Sequence, residues 1–97
     1  MPQDFRNVDP RELRLPSRRG ADPFKLQRQV ARFGASSAGM PPPWVYEAAD
    51  GVLVLYYGIT RASRIAKRAP GTTIRVEVVG TLRRTYGGDP KIGDLLP

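Results

Sequence analysis

The chain of 97 residues contains neither cysteine nor histidine. Without cysteine it has no disulfides, no thiolate metal ligands and no cysteine nucleophile. Without histidine it lacks the commonest general base and the commonest metal ligand. A Ser-His-Asp triad is therefore excluded, and any metal site would have to be built from carboxylates.

Long apolar runs are also missing. No run approaches the roughly 20 residues that a membrane span needs, and Met1–Arg6 has no apolar core of the kind found in signal peptides. The length and the 40% hydrophobic and 26% charged residues are typical of one ordinary globular domain. We therefore expect a cytoplasmic protein that does not associate with membranes.

Arginine dominates the charge of the chain. With 13 Arg and 3 Lys against nine acidic residues, the net charge is +7, and residues 52–88 hold seven basic residues against Glu77 alone. Such a surface attracts nucleic acids and nucleotides, and arginine favours bidentate contacts with phosphate. A genomic bias toward arginine codons explains the same composition, so charge alone does not choose between the two.

The element pattern along the chain predicts one domain over residues 8–80. Residues 1–7 are expected to be a flexible tail, and residues 81–97, which are polar and rich in Gly and Pro, a second tail. The weak alternation over Val8–Leu15, with a proline near its start, predicts a short edge strand.

A first helix is predicted from Pro23 to Phe33. Asp22 is a favourable N-cap, proline suits the first helical position, and Gly34 suits the end. An apolar stripe is expected to face the core, and it comprises Leu26, Val30 and Phe33.

Two apolar runs, Trp44–Glu47 and Val52–Tyr57, flank an Asp50-Gly51 pair and predict a hairpin. The second run is apolar on both faces, which predicts a central strand. A second helix should follow from Thr60 as its cap to about Ala69, and the alternating Thr73–Val79 predicts a half-buried strand. The expected fold is α+β, with a small mixed sheet of about four strands and two helices.

The turn at Gly58 is the best candidate for a functional site. At the start of a helix the backbone N–H groups have no internal acceptor, and the helix dipole adds positive charge. Glycine lets an anion approach closely, and Arg61 and Arg64 follow one helical turn apart, with Arg68 continuing the basic face. Gly58, Thr60, Arg61, Arg64 and Arg68 are therefore the predicted phosphate-binding residues, the alternative being a plain turn with a cap and solvated arginines.

The segment from Asp50-Gly51 through Tyr57–Lys67 to Ile74–Val78 resembles the core of the ParB/sulfiredoxin-like superfamily. That family shows a strand, a short glycine–arginine turn, an Ala-rich helix and an alternating V-x-V strand. The resemblance covers roughly residues 8–79 and implies a ParB/sulfiredoxin-like fold. It also implies that the turn, which matches at Gly58, Thr60 and Arg61, binds nucleotide phosphates or faces DNA.

Members of this family include CTP-dependent chromosome partition proteins, an ATP-using sulfinic acid reductase, a serine kinase and nucleases. The reductase reaction is excluded because the chain has no cysteine, and Ile59 and Thr60 stand where partition proteins have Glu-Arg. The helix-turn-helix domain of partition proteins does not fit in 97 residues. The resemblance thus favours a small ParB-like module that binds phosphate groups of DNA or of a nucleotide without catalysis.

Two alternatives remain open. One is a ParB-like nuclease or a phosphotransferase that uses a nucleoside triphosphate with Mg²⁺, for which no catalytic residue is assigned. The other is a module that binds a larger protein partner, through the Trp44 region or a polyproline segment at Met40–Pro43. A rigid connector is the favoured interpretation of that segment.

Three further groups of residues each allow a functional role and a simpler structural one. The carboxylates of Glu47, Asp50 and Glu77 can in principle meet and bind a divalent metal, but salt bridges to nearby arginines are favoured and no metal site is predicted. The aromatic residues Trp44, Tyr46, Tyr56 and Tyr57 can stack on bases, with core packing favoured. The segment Arg83–Tyr86 can contact a nucleic acid backbone, with a solvated tail favoured.

Overall fold

The computed structural model describes residues 3–16 and 20–96. The main elements are β1 (Asp4–Val8), α1 (Pro23–Phe33), β2 (Trp44–Glu47), β3 (Leu53–Tyr57), α2 (Ile59–Arg68) and β4 (Ile74–Thr81). The strands form one sheet in the order β1-β4-β2-β3, with β2 parallel to β4 and the other neighbours antiparallel. The predicted α+β class, with a mixed sheet of four strands and two helices, is confirmed.

α2 lies between the sheet and α1. Its Ala62, Ile65 and Ala66 are completely buried in one cluster with sheet residues such as Val45 and Leu55. The other side of α2 contacts α1, so polar residues of α2 are also buried. Within the two described stretches of chain, neither helix is long and apolar enough to cross a membrane.

The amino-terminal prediction is wrong in two respects. Residues 4–7, expected to belong to a flexible tail, form β1 and pair with β4, whereas residues 1 and 2 lie outside the described part. The strand expected over Val8–Leu15 is broken by a 3-10 turn at Pro10–Glu12, since Asp9 caps that turn by accepting from the Arg11 amide. Residues 17–19 also lie outside the described part.

The carboxyl-terminal prediction of a tail over residues 81–97 is wrong as well, with residue 97 outside the described part. β4 continues to Thr81, and the Leu82 amide donates to the Glu47 carbonyl at 2.9 Å. Ile92 is buried in the core, and its amide donates to the Leu13 carbonyl. The apolar residues here are spaced by glycines and prolines, so they show no periodicity that predicts burial.

β3 is not the central strand that its apolar sequence predicts. It is the last strand of the sheet. On its outer edge, Arg14 forms the one isolated bridge to it among the described residues. Val54 and Leu55 are buried, but Tyr56 and Tyr57 are 60% and 55% exposed. The half-buried strand β4 takes the inner position, and its alternation is confirmed.

α1 begins and ends where its capping residues predict. The Asp22 carboxylate accepts hydrogen bonds from the Phe24 and Lys25 amides at 2.9 and 3.1 Å. The apolar stripe is only partly right, because Leu26 is buried while Phe33 is half exposed. Gly34 follows with φ +59° and ψ −130°, a conformation that favours glycine.

Asp22→Ala is expected to lower the melting temperature at neutral pH. The amides of Lys25 and Phe24 lower the pKa of the Asp22 carboxyl, so its stabilising effect is present above the ordinary carboxyl pKa and lost as pH falls through the folded-state value. The melting difference from the wild type should therefore narrow below about pH 4. Asp22→Asn keeps the accepting oxygen, so its melting temperature at pH 7 should lie between those of the wild type and Asp22→Ala. A melting difference between the wild type and Asp22→Ala that did not change with pH would contradict a role for the carboxylate charge.

Candidate functional site

Gly58 is the residue that turns the chain from β3 into α2. It is the N-cap of α2, with φ +97° and ψ 28°, a backbone conformation that favours glycine. A Cβ at this position would lie 3.0 Å from the Pro43 Cβ and 3.1 Å from Arg61 Nη2. Both backbone conformation and close packing therefore require glycine here.

The amino terminus of α2 has no side-chain cap. Thr60 is the second residue of the helix rather than its cap, so that prediction is wrong, and Gly58 has no side chain to offer. The amides of Ile59, Thr60 and Arg61 also lack acceptors within the helix. In α1 the Asp22 carboxylate occupies the corresponding place, whereas in α2 that place is open to an external anion.

Arg61 stands beside this helix end. Its guanidinium lies 5.0 Å from the centre of the Tyr57 ring, and Nη1 donates to the Pro41 carbonyl at a long 3.4 Å. The side chain is half-buried, so its position is restricted without being sealed from solvent. These contacts hold the guanidinium beside the Gly58 turn.

An open groove of about 420 Å³ runs between the amino terminus of α2 and the side of α1. It is lined by Lys25, Gln29, Tyr57, Gly58, Ile59, Thr60 and Arg61. A second groove of about 360 Å³ shares Lys25, Gln29 and Thr60 with the first and extends it toward Arg28 and Arg32. Lys25 was not predicted as a site residue, because only the packing of α1 against α2 brings it to the turn.

The two helices carry seven basic residues and no acidic residue. Residues 3–16 and 20–96 contain ion pairs of Arg6 with Asp4 and Glu47, of Arg84 with Asp89 and of Lys91 with Glu12. None of these pairs involves a cation of α1 or α2. Within the described part of the chain, the Asp22 carboxylate that caps α1 offsets part of the charge of Lys25 and Arg28, and no ion pair neutralises the remaining cations of the two helices.

Arg64 does not lie on an exposed basic face. Its side chain is buried, with 2% exposed, and Nη1 donates to the carbonyls of Gly34 and Ser36 at 2.9 and 2.6 Å. Burial lowers the pKa of this guanidinium. The prediction that Arg64 faces the same anion as Arg61 is wrong, because α1 and the loop after it cover this side of α2.

Arg68 is exposed but lies at the other end of α2. Seven residues separate it from Arg61, about 10 Å along the helix axis. It lines a different groove, together with Lys67 and the α1 residues Pro23, Leu26, Gln27 and Val30. The structure therefore brings Gly58, Thr60 and Arg61 into one groove and leaves Arg68 outside it.

Aromatic side chains adjoin the groove at Tyr57. The rings of Trp44 and Tyr57 lie 5.1 Å apart between centres, and both residues are substantially exposed, by 42% and 55%. Tyr46 and Tyr56 form a separate edge-on pair at 5.2 Å. The expectation of core packing is therefore wrong for Trp44, Tyr56 and Tyr57.

The three candidate carboxylates do not form a common site. Glu47 accepts from Arg6 at 2.9 Å, which lowers the pKa of that carboxyl and confirms a salt bridge there. Asp50 instead accepts from the amides of Tyr86 and Gly87. In the described part of the chain, no group of three acidic residues is placed to hold a metal ion.

The remaining candidate segments are built into the fold. Arg84 pairs with Asp89 at 2.9 Å and stands over the Tyr86 ring at 4.0 Å, so this region is not a solvated tail. In the proline segment, Pro43 is buried and its carbonyl accepts from the Glu77 amide. That segment is a connector that also shapes the Gly58 turn.

Comparison with known proteins leaves the chain without an assigned family. No protein-family model matches it, and no curated protein matches its sequence. The groove itself therefore defines the candidate residues, and it adds Lys25 and Tyr57 to the predicted Gly58, Thr60 and Arg61.

Proposed function

We propose that the groove at the amino terminus of α2 binds a phosphate group of a nucleic acid or a nucleotide, and that the protein is a non-catalytic, ParB-like binding module. The observation that carries this proposal is an uncapped helix terminus between two basic side chains, Lys25 and Arg61. The order of strand, glycine–arginine turn and helix supports the ParB-like resemblance.

A phosphate in this groove would take the place that the Asp22 carboxylate has in α1. The free amides and the helix dipole favour negative charge at that point, and the Thr60 hydroxyl is a further donor. Arg61 and Lys25 add charge-assisted hydrogen bonds, which are roughly twice as strong as neutral ones. All the groups that line the polar part of the groove thus favour an anion over a neutral ligand.

A nucleic acid is the ligand that the wider charge pattern favours. The second groove continues the first past Arg28 and Arg32, and the described structure gives neither of them an ion-pair partner. A phosphodiester chain can follow such a row of cations, whereas a single phosphate uses only one position.

The test is to measure affinity for duplex DNA, single-stranded DNA, CTP and ATP at two salt concentrations. Arg61→Ala and Lys25→Ala should each weaken nucleic acid binding about tenfold and lower the slope of log affinity against log salt by about one. Lys67→Ala, on the same helix pair but outside the groove, is the matched control. Absence of binding to all four ligands at low salt would reject the proposal.

Amide chemical shifts locate the bound anion directly. Titration with inorganic phosphate should shift the Ile59, Thr60 and Arg61 amides and leave the Phe24 amide, which already donates to Asp22, nearly unchanged. Equal shifts at both helix ends would indicate nonspecific attraction rather than a site.

A recess beside Arg61 favours a nucleotide as the second candidate ligand. Its volume is about 230 Å³, and it is lined by Gln29, Phe33, Ala38, Gly39, Met40, Pro41, Arg61 and Arg64. Gln29 Oε1 and Arg64 Nε are buried there without a hydrogen-bond partner among the described residues. An acceptor and a donor beside apolar side chains suit the edge of a base. If this is correct, Gln29→Leu should weaken CTP or ATP binding and leave inorganic phosphate binding unchanged.

A further inference from the structure

We propose that Trp44 and Tyr57 form a base-stacking platform and that the preferred ligand is a single-stranded nucleic acid. This inference rests on the proposed phosphate groove and identifies the class of nucleic acid that the groove serves. The phosphate would lie at the amino terminus of α2, and a neighbouring base would stack on the platform.

The platform and the groove form one surface because Tyr57 belongs to both. Tyr57 lines the groove and contacts the Arg61 guanidinium at 5.0 Å, and its ring lies 5.1 Å from that of Trp44, tilted by 39°. Trp44, Tyr57 and Arg61 therefore follow one another from the sheet to the helix end. A strand whose phosphate contacts Arg61 has an aromatic surface directly beside it.

The exposure of these rings is not explained by core packing. Trp44 and Tyr57 are 42% and 55% exposed, while the aliphatic residues beside them in the sheet, Val45 and Leu55, are buried. The register shifts between Trp44 and Val45, so Trp44 pairs with Tyr57 at the end of the hairpin rather than continuing the regular ladder. This irregularity places the two rings together at the mouth of the groove.

Stacking requires a base whose face is accessible. In a duplex the faces are covered by neighbouring base pairs, whereas an unpaired base can stack on an aromatic side chain, often beside a basic groove. The cations of α1 and α2 attract the backbone, so the surface combines the two elements of single-strand binding. An apolar protein partner would not make use of the flanking Lys25 and Arg61.

Trp44 is the only tryptophan of the chain, so its fluorescence reports on the platform directly. We expect an oligothymidylate of about 12 nucleotides to quench it at low salt, and a duplex of the same length to bind more weakly and quench less. Trp44→Ala and Tyr57→Ala should weaken single-strand binding by about 5- to 150-fold. The salt slope of Trp44→Ala should match the wild type, since this substitution removes neither a phosphate contact nor the Tyr57 ring that holds Arg61.

Three variants control for folding and for chemistry. Tyr56→Ala removes an exposed tyrosine of the other aromatic pair and should leave single-strand affinity unchanged. Trp44→Phe and Tyr57→Phe keep a stacking ring and should retain most of the affinity. If the indole or the phenol acted only by supporting the fold, these variants would not be expected to retain it. Thermal melting of each variant shows whether it is folded.

The outcomes separate this inference from the proposed function. Equal affinity for single strand and duplex, with no effect of Trp44→Ala, would overturn the stacking platform while salt-sensitive, Arg61-dependent binding still supported the phosphate groove. Binding of neither nucleic acid at low salt would overturn the stacking platform, and the phosphate groove would be rejected as well if CTP and ATP also failed to bind. A complex with a protein that depends on Trp44, with nucleic acid affinity unaffected by Trp44→Ala, would also overturn the inference.

Discussion

Replacing Arg64 by alanine is expected to lower the free energy of unfolding by about 3 kcal/mol. The buried guanidinium donates to the carbonyls of Gly34 and Ser36 and lies 5.3 Å from the centre of the Phe33 ring. Hydrogen bonds from a charged donor contribute about 1.5–3 kcal/mol each, and truncation would leave two carbonyls without this donor and a cavity beneath the loop. Urea denaturation followed by circular dichroism measures the loss.

The matched control is Arg68→Ala, which removes an exposed arginine from the same helix. It should change stability by no more than about 0.5 kcal/mol. Arg64→Lys should be intermediate, because an ammonium has no second nitrogen to replace Nη2, which donates to the Met40 sulfur while Nη1 donates to both carbonyls. If Arg64→Ala kept full stability but lowered the salt slope of DNA binding by one, Arg64 would instead be a phosphate ligand.

Arg64 also shows where sequence patterns stop being informative. Arg61, Arg64 and Arg68 share one face of an isolated helix, and that spacing predicts a common exposed surface. The burial of Arg64 depends on α1 packing over α2 and on the loop after α1 folding back to present two carbonyls. No local signal in the sequence encodes either event, and a basic residue at this position is normally solvated.

The sequence predicts well those elements that have a local signal, such as a capping residue, a turn pair or strict alternation. Asp22 and Pro23 fix the start of α1, the Asp50-Gly51 pair identifies the hairpin, and strict alternation identifies β4. β1 has no such signal, because its strand character comes from pairing with β4, more than 60 residues away in sequence. The same is true of Ile92, which is buried by tertiary contacts alone.

For the candidate site, the sequence predicts the turn but not its surroundings. Gly58 and Arg61 follow from the order of strand, glycine and helix, which is a local property. Lys25 reaches the groove only through packing of the two helices, and Trp44 pairs with Tyr57 because the β2–β3 register shifts beside it. A local motif thus predicts the helix end at which we propose anion binding, and the tertiary fold supplies a second cation and an aromatic neighbour.

Gly58→Ala is expected to cost about 3 kcal/mol of stability and to weaken anion binding at the same time. A residue with a Cβ is strained by about 1–2 kcal/mol at a left-handed position. The new methyl would also meet the Pro43 Cβ at 3.0 Å and Arg61 Nη2 at 3.1 Å, so the Pro43 ring or the Arg61 guanidinium must move. Displacing Arg61 from Tyr57 removes the orientation on which phosphate binding depends.

Gly71→Ala is the control that separates backbone strain from close contacts of the new methyl group. Gly71 follows α2 with φ +86°, close to the +97° of Gly58, but a Cβ there meets nothing within 4 Å. We expect it to cost about 1–2 kcal/mol in urea denaturation and to leave the phosphate-induced shifts of the Thr60 and Arg61 amides unchanged. Gly58→Ala should exceed that cost and reduce those shifts. If the two variants lost equal stability and both bound phosphate like the wild type, the close contacts at Gly58 would not shape the site.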